Sequence, residues 1–468
     1  MRGRVSLFTF EMDQKRYPHI HFIGIGGVSM SGIAALLHAQ HYLVTGSDRE
    51  ENEHTKVLRE RGIDVTIGQS RDNIKSPDLV VYTDAIADDN EELIAARKTG
   101  VPVVSRGVFL GALMRNYVHS IAVSGSHGKS TTTSMISKIL IHTDTDPSIL
   151  IGGDLDEIRG NVLVGGREYL VTEACEFKAN ILNYYPSIAV ILNIDADHLD
   201  FYRDLDHIVE TFNTYMEHLD ENATAILNYD DEGVRRLIPT VKGRVVTFSL
   251  EDSAADYYAA NVHFDPAGHA HFDLYQRGKK VLDFHLAIIG RYNIYNALAA
   301  IAATVETGID IHIVRDYLDE YKGLHRRLER VGEANGASIL TDYGHHPTEI
   351  AATLGALKPH VQGKLICAFQ PHTYSRTKKL MEEFAGAFDD ADEIVVTEIY
   401  AARERFDPSV KSEDLVERLT DKGKDAVYKK TFDDAKAYLL TRIGEGDVVI
   451  TTGCGNPHIL AQMLCEKK

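Results

Sequence analysis

Cysteine is scarce in this chain. Four thiols in 468 residues (Cys175, Cys367, Cys454 and Cys465) stand far apart with no C-x-x-C pair, so there is neither a disulfide framework nor zinc-site spacing to read. Free thiols in a reducing compartment are the consistent reading. Positive charge is also in deficit: 50 Lys and Arg against 69 Asp and Glu give a formal charge of −19. That excludes a general nucleic-acid or anionic-membrane binder, because such surfaces need an excess of basic residues. A local basic pocket for a phosphorylated ligand stays compatible with it. Long apolar runs are missing as well, and nothing approaches the roughly 20 residues of a membrane span. The short apolar patch near the N-terminus is soon broken by Glu11, Asp13, Lys15 and Arg16, which makes a poor signal peptide. The opening segment reads as a tail ahead of the first strand, and the chain reads as cytosolic. There is no repeat of solenoid period and no low-complexity tract.

What is present is ordinary globular material, 44% apolar and 25% charged, at a length that implies two to four domains of about 100–200 residues. From His19 the chain alternates strand and helix: "HIHFIGI", a glycine turn, "SMSGIAALLHAQ", "YLVTGSD", then "LVVYTDAI" and "VPVVS". Such alternation implies a parallel sheet with helices on both faces. A second α/β region starts at "SIAVSGS", runs through "EYLVTEA" and "SIAVILNI", and ends near "YKGLHRRLERVG". A third takes "SILTDYGHHPTEI", "KLICAFQ" and "EIVVTEIY" as strand candidates and closes on "DVVITTGCGN". The expected division is 1–105, 106–327 and 328–468, three α/β domains.

Two glycine loops carry chemistry. In "GIGGVSMSG", Gly24 and Gly26 fill the first two positions of G-x-G-x-x-G, Ser29 occupies the third, and Asp48 ends the next strand. The glycines allow close backbone approach and the helix N-terminus favours an anion, so the loop suits a diphosphate. Alone it also fits an NAD site, or simply tight strand–helix packing. The second loop is "SGSHGKSTT", residues 124–132, which fails the strict G-x-x-x-x-G-K-[ST] pattern because Val123 replaces the first glycine. Its strand–loop–helix context is nevertheless that of a phosphate loop. Gly125 and Gly128 let the backbone wrap a phosphate, Lys129 can reach the β- and γ-phosphates, and Ser130 or Thr131 offers a hydroxyl to Mg²⁺. The loop is expected to be shorter than an ordinary one, with His127 as a distinguishing residue.

Glu173 ends the strand "EYLVTEA", and His198 lies in "NIDADHLD" just beyond "SIAVILNI". Ligands collect at the carboxyl ends of strands in an open parallel sheet, so both converge on the second loop if those strands are neighbours. A nucleotide-bound Mg²⁺ commonly takes one or two protein ligands, and Glu173 suits that role. Asp195, Asp197 and Asp200 serve equally well as helix caps or solvated acids.

Together these motifs resemble the Mur ligases of peptidoglycan synthesis. The resemblance runs nearly end to end: "HFIGIGGVSMSGIAALL" with "GSD", "GSHGKSTTTSMI", "EACE", "NIDADHLD", "GRYNIYNALAA", "HRRLERVG", "TDYGHHPTEI", "FQPHTYSRT" and "GCGN". The shortened loop is that family's own version of the phosphate loop. The resemblance implies a Rossmann-like N-terminal domain, a central P-loop ATPase-like domain on a parallel or mixed sheet and a Rossmann-like C-terminal domain, with ATP and Mg²⁺ as cofactors, UDP-N-acetylmuramate and L-alanine as substrates, and an acyl-phosphate intermediate. It implies that Gly125, Ser126, His127, Gly128, Lys129, Ser130 and Thr131 hold the nucleotide phosphates, with Ser130 and Glu173 on the metal and His198 on or beside a second metal ion. By the same resemblance Asn293 and Asn296 face the adenine, Arg327 reaches the phosphates and Asp342 the ribose. The resemblance likewise implies that Tyr343, His345 and Arg376 form the amino-acid pocket and that Gly24, Gly26, Gly27, Ser47 and Asp48 hold the uridine diphosphate. Without the family, Asn293 and Asn296 read equally as caps or a polar helix face, and an Arg326–Glu329 pair as a solvated surface contact.

The chain departs from the family pattern at named positions. Thr373 stands where an arginine is usual, Asn456 where an aspartate is, Ser130 where a threonine is, and Ser29 where a glycine is. The rival readings are a ligase that rejoins an intact tripeptide to the same sugar nucleotide, a UDP-sugar binder without catalysis, and an NAD-dependent oxidoreductase. The second loop argues against the last.

Overall fold

The first alternation builds a five-stranded parallel sheet in the order Asp64–Ile67, Leu43–Asp48, His19–Ile23, Leu79–Tyr82, Val103–Ser105. The chain leaves the central strand His19–Ile23 in both directions, so the strand order reverses there. Such a reversal opens a crevice at the carboxyl end of that strand, where Gly24–Gly27 lie. The computed structural model describes residues 8–12, 16–199, 201–402 and 404–466. These divide into two compact units. The first runs to Ile194 and adds Val209–Thr247 and Ala299–Val314; the second holds Asp195–Ile208, Phe248–Leu298 and Arg315 onward.

The first unit contains a second run of strands in the order Thr224–Asn228, Ile188–Ile191, His119–Ser124, Tyr169–Glu173, Ser148–Leu155, Gly160–Leu163. All pairs are parallel except the last. His119–Ser124 therefore lies between Ile188–Ile191 and Tyr169–Glu173, the neighbour relation on which the sequence argument depended. Helix Lys129–Ile141 follows the phosphate loop and buries Met135, Ile136, Ile139 and Leu140. The helix Arg106–Met114 approaches the segment Phe177–Asn183 at Gly107 and Gly111. A Cβ on Gly111 would sit 1.7 Å from the Asn183 carbonyl oxygen.

The N-terminal segment is more than a tail. Its opening residues lie outside those described, but Phe10 is buried with its ring 4.8 Å from that of Phe109. Asn116 fastens it by donating to the Phe10 carbonyl and accepting from the Met12 N–H, both at 2.8 Å. The tail reading rested on charge, and missed that Phe8, Phe10 and Met12 alternate with polar residues.

The second unit holds a six-stranded sheet, ordered Glu329–Ala334, Ala337–Asp342, Val448–Thr452, Leu365–Phe369, Glu393–Val396, Ala426–Tyr428. Only its first pair is antiparallel. Leu365, Phe369, Phe384, Phe388 and Ile394 pack one of its faces. The unit also contains an antiparallel meander of Tyr257–Phe264, His269–Gln276 and Lys279–Ile289, which the sequence reading passed over. No helix among the described residues is long and apolar enough to cross a membrane.

Candidate active site

The phosphate loop is built by its two glycines. Gly125 (φ 130°) and Gly128 (φ 84°) adopt backbone conformations that L side chains rarely take, and a Cβ on Gly125 would press on the backbone of Asn193 at 3.0 Å. Asn193 then clamps the loop: its Oδ1 accepts from His127 N–H (2.8 Å), its Nδ2 donates to the His127 carbonyl (3.0 Å), and its own carbonyl accepts from Ser126 N–H (3.1 Å). Lys129 opens the helix and curls back, so that its Nζ donates to the carbonyls of Gly125 and Ser126 and to the carboxylate of Glu176. Burial works against the ammonium charge, but Glu176, with Glu173 behind it, outweighs it and raises the lysine above its ordinary pKa. Ser130 is buried in the first turn, with Thr131 beside it on the same helix.

Glu173 is the last residue of its strand, paired with Val123 beside the loop. Its Oε1 accepts from Gly152 N–H at 2.7 Å. Glu176 was not singled out from the sequence, although it closes the same "EACE" motif. Its side chain is 2% exposed and lies 3.2 Å from Lys129 Nζ. Burial, and then Glu176, push the Cys175 thiol up to about 11, so it stays protonated at neutral pH.

At the N-terminal loop, Gly24 has φ 81°, and its missing Cβ leaves room for Thr83. Gly26 N–H donates to Asp48 Oδ2 at 2.8 Å, and Gly27 precedes the helix Val28–Ala39. Ser47 donates to Glu92 Oε2 (2.7 Å), while Glu92 Oε1 lies 2.8 Å from His21 Nε2. Glu92 is fully buried, and neither it nor His21 was expected to take part. The positive group of this region is Arg106, also missed: it reaches Ser29 Oγ (3.3 Å), Tyr184 OH (3.4 Å) and Asp84 (3.9 Å). Tyr184 raises its pKa against the cost of burial. Arg106 thus places a positive charge beside Ser29, in the helix that follows the Gly24–Gly27 turn.

The second unit gathers a different set. Arg376 Nη2 lies 3.0 Å from Asp197 Oδ1, and its Nη1 lies 3.1 Å from His372 Nδ1. Burial opposes ionisation of Asp197, yet Arg376 and then His198 hold its carboxyl well below the usual range. His198 sits beside Asp197 with φ 54°. The His345 ring packs edge-on against Tyr343, while the His345 backbone N–H donates to Glu349 Oε2 at 2.9 Å; burial lowers the imidazole pKa to about 4. The guanidinium groups of Arg326 and Arg327 lie 4.8 and 4.9 Å from the centre of the Tyr343 ring. Asp342 accepts from Leu328 and Gly344 N–H, both at 2.8 Å, and burial raises its pKa despite Arg327. Asn293 and Asn296 are buried and joined, Asn296 Nδ2 donating to Asn293 Oδ1 at 2.9 Å. Where the family-free alternative was a surface pair of Arg326 and Glu329, the Glu329 carboxylate takes His325 and the Arg326 backbone N–H, and the Arg326 side chain reaches the Gly455 carbonyl.

Three family models cover this chain in order: "Mur ligase family, catalytic domain" over 19–118, "Mur ligase middle domain" over 123–304, and "Mur ligase, glutamate ligase domain" over 326–455. The chain belongs to the Mur ligase family. Among curated relatives of this Mur ligase, the UDP-N-acetylmuramate–L-alanine ligase of Alkaliphilus metalliredigens is 42% identical, covering 99% of this chain and 100% of that protein. The protein of the same name from Caldanaerobacter subterraneus subsp. tengcongensis is 43% identical over 98% of this chain and 99% of its own. Among solved structures, the UDP-N-acetylmuramate–alanine ligase of Thermotoga maritima matches with TM-score 0.79 at 29% identity, covering 95% of this chain and 98% of that one. A murein peptide ligase of Psychrobacter arcticus 273-4 shares the fold, with TM-score 0.70 at 24% identity and coverage of 95% and 98%.

The departures from the Mur ligase pattern now have surroundings. Thr373 caps the short helix Tyr374–Lys379 through its hydroxyl, with φ 64° and ψ 143°. Asn456 is exposed and makes no side-chain cap; its backbone N–H donates to Gln370 Oε1 at 2.8 Å and its carbonyl accepts from Ile459 N–H at 3.0 Å.

Proposed function

We propose that this Mur ligase joins L-alanine to the lactyl carboxylate of UDP-N-acetylmuramate, driven by ATP, as a cytoplasmic step in building peptidoglycan precursors. The observation that carries the reading is the Lys129 loop, whose glycine turn and helix N-terminus suit a phosphate, in a chain that matches ligases of that name along its whole length. A carboxylate is a poor electrophile until one oxygen becomes a good leaving group. The sugar's carboxylate oxygen attacks the γ-phosphorus, the bond to the β–γ bridging oxygen breaks, and ADP leaves an acyl phosphate. The amine of L-alanine then attacks the acyl carbon, loses a proton, and the tetrahedral intermediate collapses to the amide and inorganic phosphate.

In this reading the loop N–H groups and Lys129 Nζ take the charge that develops on the transferred phosphoryl group, where positioning and electrostatics supply most of the catalysis. Lys129 must first exchange Glu176 for phosphate. The hydroxyl of Ser130 and the carboxylate of Glu173 are hard oxygen donors on adjacent strand and helix ends, a donor set suited to Mg²⁺. When bound, such an ion supplies charge neutralisation at the phosphates. His198 is assigned beside the acyl phosphate, Asn293 and Asn296 to the adenine, Arg327 to the phosphates and Asp342 to the ribose. Tyr343, His345 and Arg376 are assigned to the amino acid, whose carboxylate Arg376 is shaped to grip. The Gly24–Gly27 turn, Ser47 and Asp48 are assigned to the uridine diphosphate; in the division 1–105, 106–327 and 328–468 the ATP set is shared between the last two.

The test is phosphate release from ATP with Mg²⁺ and UDP-N-acetylmuramate, with L-alanine, glycine, L-serine or the tripeptide supplied in turn. Release that requires both the sugar nucleotide and L-alanine, with the amide product seen by mass, is expected. Release with the tripeptide alone would assign the chain to peptide recycling, and tight sugar-nucleotide binding without release would make it a silent homologue.

A further inference from the structure

The antiparallel meander of the second unit presents a row of imidazoles that ATP-driven ligation does not use. His263 on its first strand is registered against His271 on the second, and His271 against His285 on the third. The rings lie in contact across the sheet, 5.1 Å between the centres of His263 and His271 and 4.6 Å between His271 and His285. His269 adds a fourth ring, edge-on to His285 at 5.7 Å.

This row depends on a break in the sheet. Ala260 pairs with Asp273 but His263 pairs with His271, so the first strand carries one extra residue at a bulge, where Asn261 has φ 53°. Side chains alternate along a strand, and one inserted residue exchanges the two faces. Without the bulge His263 would point to the face that holds Phe272, Leu274 and Phe284, which are buried. With it, His263 joins the outward row.

We propose that this outward face binds a divalent transition-metal ion of the zinc class through His271, His285 and Asp265, with His263 and His269 at its edge. One donor atom each from Asp265, His271 and His285 already lies within 4.8 Å of the others. In a tetrahedral zinc site, with bonds of about 2.0–2.1 Å, donors stand about 3.4 Å apart, so the three need to draw together by no more than about 1.4 Å. The supporting contacts match what a metal-bound imidazole requires. His285 Nδ1 lies 2.5 Å from Asp319 Oδ1, and an Nδ1–H donated there leaves Nε2 for a metal. The carboxylate–histidine pair is the usual partner arrangement behind a zinc ligand. His263 Nδ1 lies 3.0 Å from the Asn261 carbonyl, which leaves Nε2 by the same logic. Asp265 is fixed at the hairpin turn, accepting from the Ala267 and His269 N–H groups at 2.9 Å. Nitrogen donors with one carboxylate select zinc, nickel or copper over magnesium. The site is therefore chemically separate from any Mg²⁺ that accompanies the nucleotide.

Calorimetric titration of the full chain with ZnCl₂, in excess Mg²⁺, tests this. One equivalent binding at micromolar Kd or tighter is expected, with at least a 100-fold loss in the His271→Asn, His285→Asn double variant. A 10–100-fold loss is expected in Asp319→Asn. Zinc binding that is absent, or equal in the wild type and the double variant, overturns the proposal. Should the double variant misfold by circular dichroism, the wild type decides: zinc must protect His271 and His285 from diethylpyrocarbonate, as read by peptide mass. Equal modification with and without zinc overturns it.

Discussion

Lys129 and Glu176 form an ion pair of 3.2 Å at the phosphate loop, with the glutamate side chain 2% and the lysine 16% exposed. The lysine thus holds a carboxylate where the proposed reaction needs it to hold a phosphate. Lys129→Ala is expected to cut turnover at least about 100-fold, the scale of losing one transition-state donor, while UDP-sugar binding persists. Glu176→Gln leaves the lysine charge without its anion and is expected to lower the stability of the nucleotide-free protein by about 3 kcal/mol. ATP supplies the missing anion, so the variant should gain more in Tm from ATP than the wild type. Equal gains in thermal denaturation would mean that Lys129 does not change partners.

Gly111 admits no side chain, because its Cβ would overlap the Asn183 carbonyl. Gly111→Ala must push the helix Arg106–Met114 away from the Phe177–Asn183 segment, and overpacking of this kind costs about 1–3 kcal/mol or more. Arg106 opens that helix and carries the contacts to Ser29 and Asp84. UDP-sugar affinity is therefore expected to fall along with stability, by urea denaturation and calorimetry respectively. A stability loss with unchanged affinity would detach Arg106 from the sugar-nucleotide site.

Local patterns account for what the sequence made legible. Strand–glycine–helix runs marked both loops, since phosphate binding at a helix N-terminus needs contiguous residues. Glu176, Asn193 and Arg106 escaped because their roles come from tertiary neighbours. Asn193 meets His127 only because Ile188–Ile191 pairs with His119–Ser124, and no spacing announces that. The meander escaped for another reason: its alternation is interrupted by a bulge, and its outward face carries histidines that do not mark a strand. Phe10 shows that a short alternation can outweigh flanking charge when an aromatic cluster awaits it.

His345 gives the stability a pH dependence with a defined sign. Burial depresses its pKa from the model-peptide value of 6.5 to about 4, against the pull of Glu349 and with Arg376 adding to the depression. The unfolded chain binds this proton below pH 6.5 and the folded one only near 4, so the contribution is full above 6.5 and lost as pH falls through that window. At about 1.4 kcal/mol per pKa unit this is on the order of 3 kcal/mol. Asp197, held low by Arg376 despite burial, loses its own contribution at more acid pH, so the windows are separate. His345→Gln is expected to flatten urea-denaturation stability between pH 6.5 and 4 relative to the wild type. A parallel decline in both proteins would assign the acid sensitivity elsewhere.

Thr373 is a β-branched residue at φ 64° and ψ 143°, a region in which only glycine is at ease and which costs about 1–3 kcal/mol. Its hydroxyl accepts from Arg376 N–H at 3.4 Å, and its backbone is held by the Tyr400 carbonyl and by Thr377 N–H. Strain and capping pull in opposite directions, and two substitutions separate them. Thr373→Gly removes the strain and gives up only a few tenths of a kcal/mol in capping, partly offset by a more flexible unfolded chain. A net gain of about 1 kcal/mol is expected. Thr373→Val keeps the strain and loses the hydroxyl, and should cost about 1 kcal/mol. If urea denaturation finds both variants weaker, the hydroxyl outweighs the backbone and the conformation is not strained. If the glycine variant is the more stable but turns over more slowly, the strain itself positions Arg376, one turn along the same helix, for the amino-acid carboxylate.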